Sequence, residues 1–171
     1  MISNRLLEKI IKVIFGIAVI ILPLSWFMLS FIEAMPRKVD YLKSFNIVTP
    51  QEAEYEYSFS GIGEGAFISS LDGWIIKRGQ PTNGIMLDVR LAVRNRDTGS
   101  FLVLPTEVRK REKTTKEMAD GLDYAWSKIN TEWLNLLLPA NEINENYDFY
   151  ACYTVNGYTE LVPIEIGDVN K

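Results

Sequence analysis

The fold is decided at residues 147–166, which read YDFYACYTVNGYTELVPIEI. The pair Asn156-Gly157 favours a two-residue type I′ turn, because both central positions of that turn need a positive φ. A two-residue loop also sets the pairing of the flanking strands, with Val155 opposite Tyr158. The stretch therefore predicts a β-hairpin in a defined register.

The two faces of this hairpin differ in polarity. One face is mostly apolar and is expected to belong to the core. It carries Tyr147, Phe149, Ala151, Tyr153, Val155, Val162, Ile164 and Ile166. The opposite face holds Cys152, expected to be a small packing residue, and should be less buried. Pro163 has no amide proton, so its nitrogen should face an edge or a gap in the ladder.

A second strand is predicted at residues 85–95, where apolar and polar side chains alternate. A period of two over this length indicates a strand with one buried and one solvated face. The apolar face carries Ile85, Leu87, Val89, Leu91 and Val93. Residues 95–99 then read as a turn and residues 101–104 as the returning strand. Shorter strands between glycines are expected at residues 55–60, 66–71 and 74–77.

Residues 114–138 allow two interpretations. Thr114 and Glu117 could form a capping box, and apolar residues recur at helical spacing. Gly121 and the β-prone run DYAWSKI favour a strand followed by a short helix over residues 131–138, and this interpretation is adopted. Several short strands separated by turns indicate a mostly β domain. The expected fold is an antiparallel β-sandwich, Ig-like or jelly-roll-like, with one short helix.

An uncharged apolar segment at residues 13–32, VIFGIAVIILPLSWFMLSFI, precedes this domain. A bilayer core about 30 Å thick needs about 20 apolar residues in a helix, so the segment predicts a single transmembrane helix. Pro23 would kink it, and Trp26 lies where an aromatic belt is expected. A cleaved signal peptide has a shorter apolar stretch and small residues at the cut. An uncleaved anchor is therefore the favoured interpretation.

The anchor divides the chain into four expected parts. These are a cytoplasmic tail at 1–12, the transmembrane helix at 13–32, a tether at 33–53 and an extracytoplasmic β-sandwich domain at 54–171. Basic residues flank both ends of the apolar segment, so the positive-inside rule decides little. The expected orientation, N-terminus cytoplasmic and domain outside the cell membrane, rests on the short leading tail and on the location of the folded part.

Composition excludes several classes of site. Of the 171 residues none is His and one is Cys, which removes Ser-His-Asp and Cys-His nucleophiles, His-ligated metals, thiolate clusters and intramolecular disulfides. No cofactor and no metal are expected. The net charge of −4, with both signs interspersed, gives no electrostatic case for nucleic acid. Any chemistry would use carboxylates, Lys, Tyr or Ser.

Candidate binding residues lie on the polar face of the second strand. Asp88, Arg90 and Arg94 stand in line there and could bind an anionic or polyhydroxyl ligand, since the Arg fork matches carboxylate and phosphate. A solvated face with ion pairs is the alternative. Trp74, Trp126 and Trp133 could form a sugar-stacking platform, although at least two of them are expected in the core. Trp133, beside Asn130 and Glu132, is the one least expected to be buried. The glycine-rich loop at 61–65 lacks the spacing of a dinucleotide fingerprint.

The runs SLDGWIIKRG, FLVLPTEVRKRE, GLDYAWSKI and the closing hairpin stand in a suggestive order. That order resembles the small β-sandwich domains found beside bacterial cell-surface polysaccharide assembly genes. Those domains show a Gly-Trp strand, an alternating strand pair, a Gly-aromatic strand and a Tyr-rich hairpin. The resemblance covers about residues 66–166 and departs at 109–112, where the family's usual Arg-x-Asp-Val is replaced by RKRE. It implies an envelope role and carries no catalytic signature.

The function expected from these features is that of a non-enzymatic, membrane-anchored domain. It would bind or scaffold components of cell-envelope glycopolymer assembly. The expected partners are the lipid bilayer and, beyond it, an envelope glycan or a membrane protein. Two alternatives stay open: an accessory subunit docked on a membrane complex through its transmembrane helix, and a carbohydrate-active enzyme that uses carboxylates.

Overall fold

The chain forms two units, Met1–Glu33 and Ala34–Lys171, in a computed structural model that describes residues 4–83 and 87–167. The first unit holds one helix, α1 (Asn4–Glu33). A 23-residue segment of this helix has a mean hydropathy of 2.4, and none of it is buried. At about 1.5 Å per residue the segment is long and apolar enough to cross a membrane.

The membrane segment predicted at residues 13–32 lies inside the apolar stretch Ile11–Glu33 of α1. Pro23 falls within the helix, and Trp26 and Phe27 present exposed rings toward its C-terminal end. A helix that is apolar on all sides is stable only where its surroundings are apolar as well. The physical character of α1 therefore agrees with the predicted span.

The second unit is built mainly from β-strands. In chain order they are β1 (Arg37–Val39), β2 (Tyr55–Phe59), β3 (Gly63–Glu64), β4 (Ile68–Lys77), β5 (Leu87–Asn95), β6 (Phe101–Val103), β7 (Thr106–Arg109), β8 (Lys128–Leu134), β9 (Tyr147–Val155) and β10 (Tyr158–Ile164). Between them lie a 3₁₀ helix (Tyr41–Ser44) and two short α-helices, α2 (Glu112–Met118) and α3 (Ala140–Asn146). One antiparallel sheet, the first sheet, has the order β1-β6-β5-β9-β10. The second sheet has the order β2-β4-β8-β7, with β3 paired to β4.

The β9–β10 hairpin has the predicted register, with Val155 paired to Tyr158. Asn156 and Gly157 take φ values of 49° and 86°, as the type I′ turn requires. β10 is the last strand of its sheet. Pro163 therefore lies in an edge strand, where a missing amide proton is tolerated, as predicted.

The strand predicted at residues 85–95 is β5, although residues 85 and 86 lie outside the described residues. Its alternation is confirmed: Val89, Leu91 and Val93 are buried, whereas Asp88 and Arg90 are exposed. The return after the predicted turn is β6. β5 pairs with β9 over its whole length, Leu87–Asn95, and with β6 over Ala92–Arg94.

Side chains from both sheets meet in one apolar core. The second sheet contributes Phe59, Leu71, Ile75, Ile129 and Trp133, and the first contributes Val89, Leu91, Val93, Phe149, Ala151, Tyr153, Val162 and Ile164. All of the hairpin residues expected in the core belong to this cluster or pack against it. Burial of this shared apolar surface is what stabilises the two sheets together.

The outer face of the first sheet is covered as well. Leu42 of the 3₁₀ helix packs with Cys152 and Leu161 in a second apolar cluster. The amide of Leu161 donates to the carbonyl of Asn46 at 3.0 Å. Residues 33–53, expected to be a tether, thus supply β1 and a cover for this sheet. The hairpin face that was expected to be less buried is buried for that reason.

Residues 68–77 form one strand, β4, where two short strands were expected at 66–71 and 74–77. Gly73 stands between the two and does not break the strand. The ring of Phe59 occupies the space that a Cβ atom at residue 73 would fill. Glycine at this position makes room for an aromatic ring from the neighbouring strand rather than for a turn.

The helix predicted over residues 131–138 is wrong. Its first half lies in β8, where Ile129, Thr131 and Trp133 point inward at a period of two. β8 is paired on both sides, with β4 and with β7, so its ladder hydrogen bonds outweigh the helical spacing of its apolar residues. The described helices after α1 are α2, α3 and the 3₁₀ helix, which also corrects the expectation of one short helix.

Candidate functional site

The three charged candidates on β5 lie on a solvated strand face. Arg90 Nε lies 2.9 Å from Asp88 Oδ2, and the Arg94 guanidinium lies 6.0 Å from the centroid of the Phe101 ring. Arg90 and Asp88 thus form an ion pair within β5, and Arg94 contacts a ring of the neighbouring strand β6. Ligand binding at this face stays a prediction, and the ion-paired alternative describes the observed contacts.

Trp133 is fully buried, and its expected role as a stacking platform is corrected. Its exposure is 0%, and its indole nitrogen donates a hydrogen bond to the carbonyl of Leu138 at 2.8 Å. Polar neighbours in sequence suggested exposure, but in a strand they point to the other face. In the β-rich unit the exposed tryptophan is Trp126, 40% exposed, with Lys110 Nζ 5.1 Å from the centroid of its ring.

The basic stretch at residues 109–113 is engaged in local contacts. Arg111 forms an ion pair with Glu117 at 2.8 Å, and its guanidinium lies 5.1 Å from the centroid of the Trp74 ring. Lys113 pairs with the same carboxylate at 3.1 Å. The stretch therefore fixes the start of α2 against the second sheet.

A polar cavity of about 220 Å³ opens beside the turn of the β9–β10 hairpin. We call it the Glu160 pocket. It is lined by Tyr55, Lys77, Gln80, Tyr153, Val155, Asn156, Tyr158 and Glu160. These residues come from β2, β4, β9, β10 and two turns, so both sheets build it. Pockets for drug-sized ligands usually measure about 300–1,000 Å³, so this one suits a single ring-sized group.

Glu160 is the centre of hydrogen bonding in the pocket. Its Oε2 atom accepts from the Tyr55 hydroxyl at 2.5 Å and from Lys77 Nζ at 2.7 Å. Within the described residues nothing donates to its Oε1 atom. The Glu160 carboxylate therefore keeps one oxygen for an incoming donor.

The ionisation states in the pocket follow from these bonds. Partial burial acts to raise the pKa of Glu160, but hydrogen bonds from Lys77 and Tyr55 outweigh it and hold that pKa below its usual range. Burial, and then the bond to Glu160, raises the pKa of Tyr55 above its usual range. At neutral pH the pocket thus holds a carboxylate and a neutral phenol.

The hydroxyl of Tyr153 is the unusual group in the pocket wall. The residue is 2% exposed, and its hydroxyl has no hydrogen-bond partner among the described residues. Burial raises the pKa of Tyr153 to about 12, while the backbone of Lys77 acts in the opposite direction. A buried donor without a partner costs about 1–3 kcal/mol, so this hydroxyl calls for an explanation.

Aromatic rings form one side and the mouth of the pocket. The rings of Tyr55 and Tyr153 are in edge-to-face contact, with centroids 5.1 Å apart. Tyr158 at the mouth is 83% exposed. Rings of this kind offer an apolar face together with a polar tip, which matches a ligand that has both.

A larger cavity of about 530 Å³ lies where β9 begins and β10 ends. Its charged lining is already engaged: Arg96 Nε lies 2.8 Å from Asp148 Oδ1, and its NH1 group donates to the carbonyl of Glu145 at 2.6 Å. Arg96 thereby holds the C-terminal end of α3, where cations are favoured. We interpret this cavity as space left around that structural contact rather than as a ligand site.

The groups of the Glu160 pocket can accept and donate hydrogen bonds at short range. Cys152 belongs to the second apolar cluster, where burial raises its pKa to about 12. The described residues hold no group of three His, Cys, Asp or Glu arranged to bind a metal. The Glu160 pocket presents carboxylate, ammonium, phenol and amide groups.

Comparisons with known proteins do not assign the chain: no protein-family model, no curated protein and no solved structure matches it. The resemblance to polysaccharide-assembly domains stays a prediction from the sequence. The function has to be argued from the pocket and from α1.

Sequence reasoning did not identify this pocket. The hairpin register placed Glu160 opposite Tyr153, on the face expected to be core, and a charged residue on such a face was the available signal. Tyr55 and Lys77 lie 105 and 83 residues from Glu160 along the chain and belong to the other sheet. No local pattern could assign them to the same site.

Proposed function

We propose that this protein is a membrane-anchored binding domain whose Glu160 pocket takes a hydroxyl-rich ring, such as one sugar unit of an envelope glycan. The observation that carries the proposal is the buried Tyr153 hydroxyl without a partner. A hydroxyl group of the ligand would supply that partner after a small shift of the pocket wall, because the atom is buried in the free protein. In the free protein the unpaired hydroxyl costs free energy. When a ligand binds, the new hydrogen bond removes that cost and so favours binding.

The charges of the pocket favour a neutral polar ligand. Lys77 and Glu160 neutralise each other at 2.7 Å, so the pair offers no net charge to attract an ion. An apolar ligand would remove water from both charges without replacing its hydrogen bonds, which is unfavourable. A sugar hydroxyl can donate to the free oxygen of Glu160 and accept from Lys77, and the exposed ring of Tyr158 can stack on the apolar face of the sugar.

The architecture proposed around this pocket is a β-sandwich, Ig-like or jelly-roll-like, held at the cell membrane by α1 with the domain outside. Two antiparallel sheets with one shared core support the sandwich. The length and apolar character of α1 support the anchor. A role in cell-envelope glycopolymer assembly is the part of the proposal that rests on the sequence resemblance.

An array of bacterial envelope glycans, probed with the full chain in lipid nanodiscs, tests the proposal. The wild-type protein should bind a subset of neutral glycans. Tyr153→Phe should lose most of this binding while keeping the fold. Tyr124→Phe is the matched control, because Tyr124 is equally buried but its hydroxyl is already paired with Asp120 at 2.6 Å. The control should bind like the wild type.

Two results would contradict this function. The first is a wild-type protein that binds no envelope glycan but co-purifies with one membrane protein, which would favour an accessory subunit docked through α1. The second is hydrolysis of an envelope polymer that Glu160→Gln abolishes, which would make the pocket an active site. Equal binding by Tyr153→Phe and the wild type would remove the observation that carries the proposal.

A further inference from the structure

Four exposed apolar side chains stand together at one end of the second sheet. Phe67 and Leu136 are 81% and 84% exposed, and Ile68 and Leu137 are 46% and 49% exposed. They lie in two neighbouring loops, because Ile68 pairs with Leu134 where β4 begins and β8 ends. We call these four residues the apolar tip. Several large apolar side chains exposed at one end of a sheet are a candidate contact surface.

Asn135 holds the two loops of the apolar tip together. Its amide nitrogen donates to the carbonyl of Phe67 at 2.9 Å, and its Nδ2 donates to the carbonyl of Gly65 at 2.7 Å. Its Oδ1 accepts from the hydroxyl of Ser69. The apolar side chains are thus presented by a hydrogen-bonded frame.

The chain enters the second unit beside this tip. The amide of Leu134 donates to the carbonyl of Ala34 at 3.3 Å. Ala34 directly follows Glu33, the last residue of α1, and consecutive Cα atoms lie about 3.8 Å apart. A membrane-spanning α1 therefore brings the chain to the headgroup layer within a few residues of Leu134.

We propose that the apolar tip inserts into the surface of the bilayer that α1 spans, with Phe67 and Leu136 among the acyl chains and headgroups. Exposed Arg37 and Lys38 follow the same entry point within five residues of Glu33, where they suit lipid phosphates. Acidic Glu64 pairs with Ser69 near the start of β4, so the apolar contact carries the insertion and the basic pair adds to it. The proposal rests on the membrane anchor and is independent of the pocket ligand.

If the tip inserts, the length of β4 determines how far the Glu160 pocket lies from the membrane. Ile68 begins β4 at the tip, and Lys77 ends the same strand in the pocket. Nine residue steps of about 3.3 Å separate them by roughly 30 Å along the strand. The pocket would then open at the end of the domain far from the lipid, where a polymer in the surrounding space can reach it.

Site-directed spin labelling of the full chain in phospholipid vesicles tests the insertion. Labels at Leu136→Cys and Phe67→Cys are compared with a label at Tyr158→Cys, a position with nearly the same exposure, 83%, at the pocket end. The native Cys152 is buried, which protects it from the labelling reagent. A fourth label at Phe15→Cys, inside α1, reports whether the helix itself is in the bilayer.

The labels at the tip should collide several-fold less with a water-soluble nickel chelate, and more with oxygen, than the label at Tyr158. Tip labels as accessible to the chelate as Tyr158, with Phe15 protected, would overturn the insertion and leave the anchor intact. An accessible label at Phe15 would overturn both. Protection of the tip that depends on protein concentration, with dipolar broadening between labels, would show a second copy on the tip and overturn the lipid contact.

Discussion

The two ends of the β-rich unit depart from ordinary burial in opposite ways. At the hairpin end, polar groups of Tyr55, Tyr153 and Glu160 lie partly or fully inside the wall of a pocket. At the other end of β4, Phe67 and Leu136 are held out in the solvent by a hydrogen-bonded frame. A chain that buries polar groups and exposes apolar ones, each at a defined place, indicates functional surfaces at those places. The residues between them form an ordinary core.

The largest effect is expected in the core that joins the two ends. Trp133→Ala should lower the free energy of unfolding by about 3–5 kcal/mol, because a buried ring is removed and a cavity stays behind. Trp126→Ala, at a half-exposed ring, should lower it by less than about 1 kcal/mol. Urea unfolding of the full chain in detergent, followed by near-ultraviolet circular dichroism, measures both. Equal losses would place Trp133 at the surface after all.

The next effect distinguishes paired from unpaired tyrosine hydroxyls. Tyr124→Phe should lower the free energy of unfolding by about 1–2 kcal/mol, since it leaves Gly79 N without its acceptor and Asp120 Oδ2 without the donor it has in the wild type. The same urea experiment checks this loss. A Tyr124→Phe protein as stable as the wild type would show that hydroxyl pairing has no weight in this part of the fold.

A smaller effect should appear in acid. The folded-state pKa of Glu160 lies below its unfolded value, so Glu160 contributes stability above the unfolded pKa of about 4.3, and that stability is lost as pH falls through the folded pKa. Glu160→Gln should remove about 1 kcal/mol at neutral pH, reduced by solvent at this partly exposed pair. The difference between the two proteins should vanish at low pH.

Lys77→Met sharpens this test, because it removes one of the two donors to Glu160 and leaves Tyr55 in place. Its pH-dependent loss of stability should be smaller than that of the wild type but still measurable. A pH dependence in Glu160→Gln equal to that of the wild type would show that other carboxylates carry the acid response.

The smallest effect is expected at the apolar tip. Leu136→Ser and Tyr158→Ser should each change the free energy of unfolding in detergent by less than about 0.5 kcal/mol, because both side chains are exposed. A larger loss for Leu136→Ser would show that the tip packs against the protein, which removes it as a surface for lipid.

Local chemistry explains which parts of the fold were predictable. The Asn156-Gly157 turn fixes a hairpin register within ten residues on either side, and β5 places Val89, Leu91 and Val93 on one buried face. The helix expected at 131–138 was wrong because β8 lies between two partner strands, and tertiary pairing decided its conformation. Gly73 was taken for a break because the Phe59 ring that fills its space comes from another strand.

The pocket and the tip were beyond prediction for the same reason. Tyr55, Lys77 and Glu160 meet only after both sheets have formed, and Phe67 joins Leu136 only through the pairing of β4 with β8. The sequence does carry two traces of them: a charge on the core face of the hairpin, and apolar residues in loops. Residues that depart from the burial pattern in this way are the first ones to examine when a sequence is searched for functional surfaces.

The most direct test of the account is the stability of Tyr153→Phe without any ligand. Because the buried hydroxyl has no partner within the described residues, its removal should leave the free energy of unfolding unchanged or raise it by up to about 1 kcal/mol. Binding to envelope glycans should be lost in the same variant. A loss of about 1–2 kcal/mol, as expected for Tyr124→Phe, would show that the hydroxyl is paired inside the protein and would contradict its assignment to a ligand.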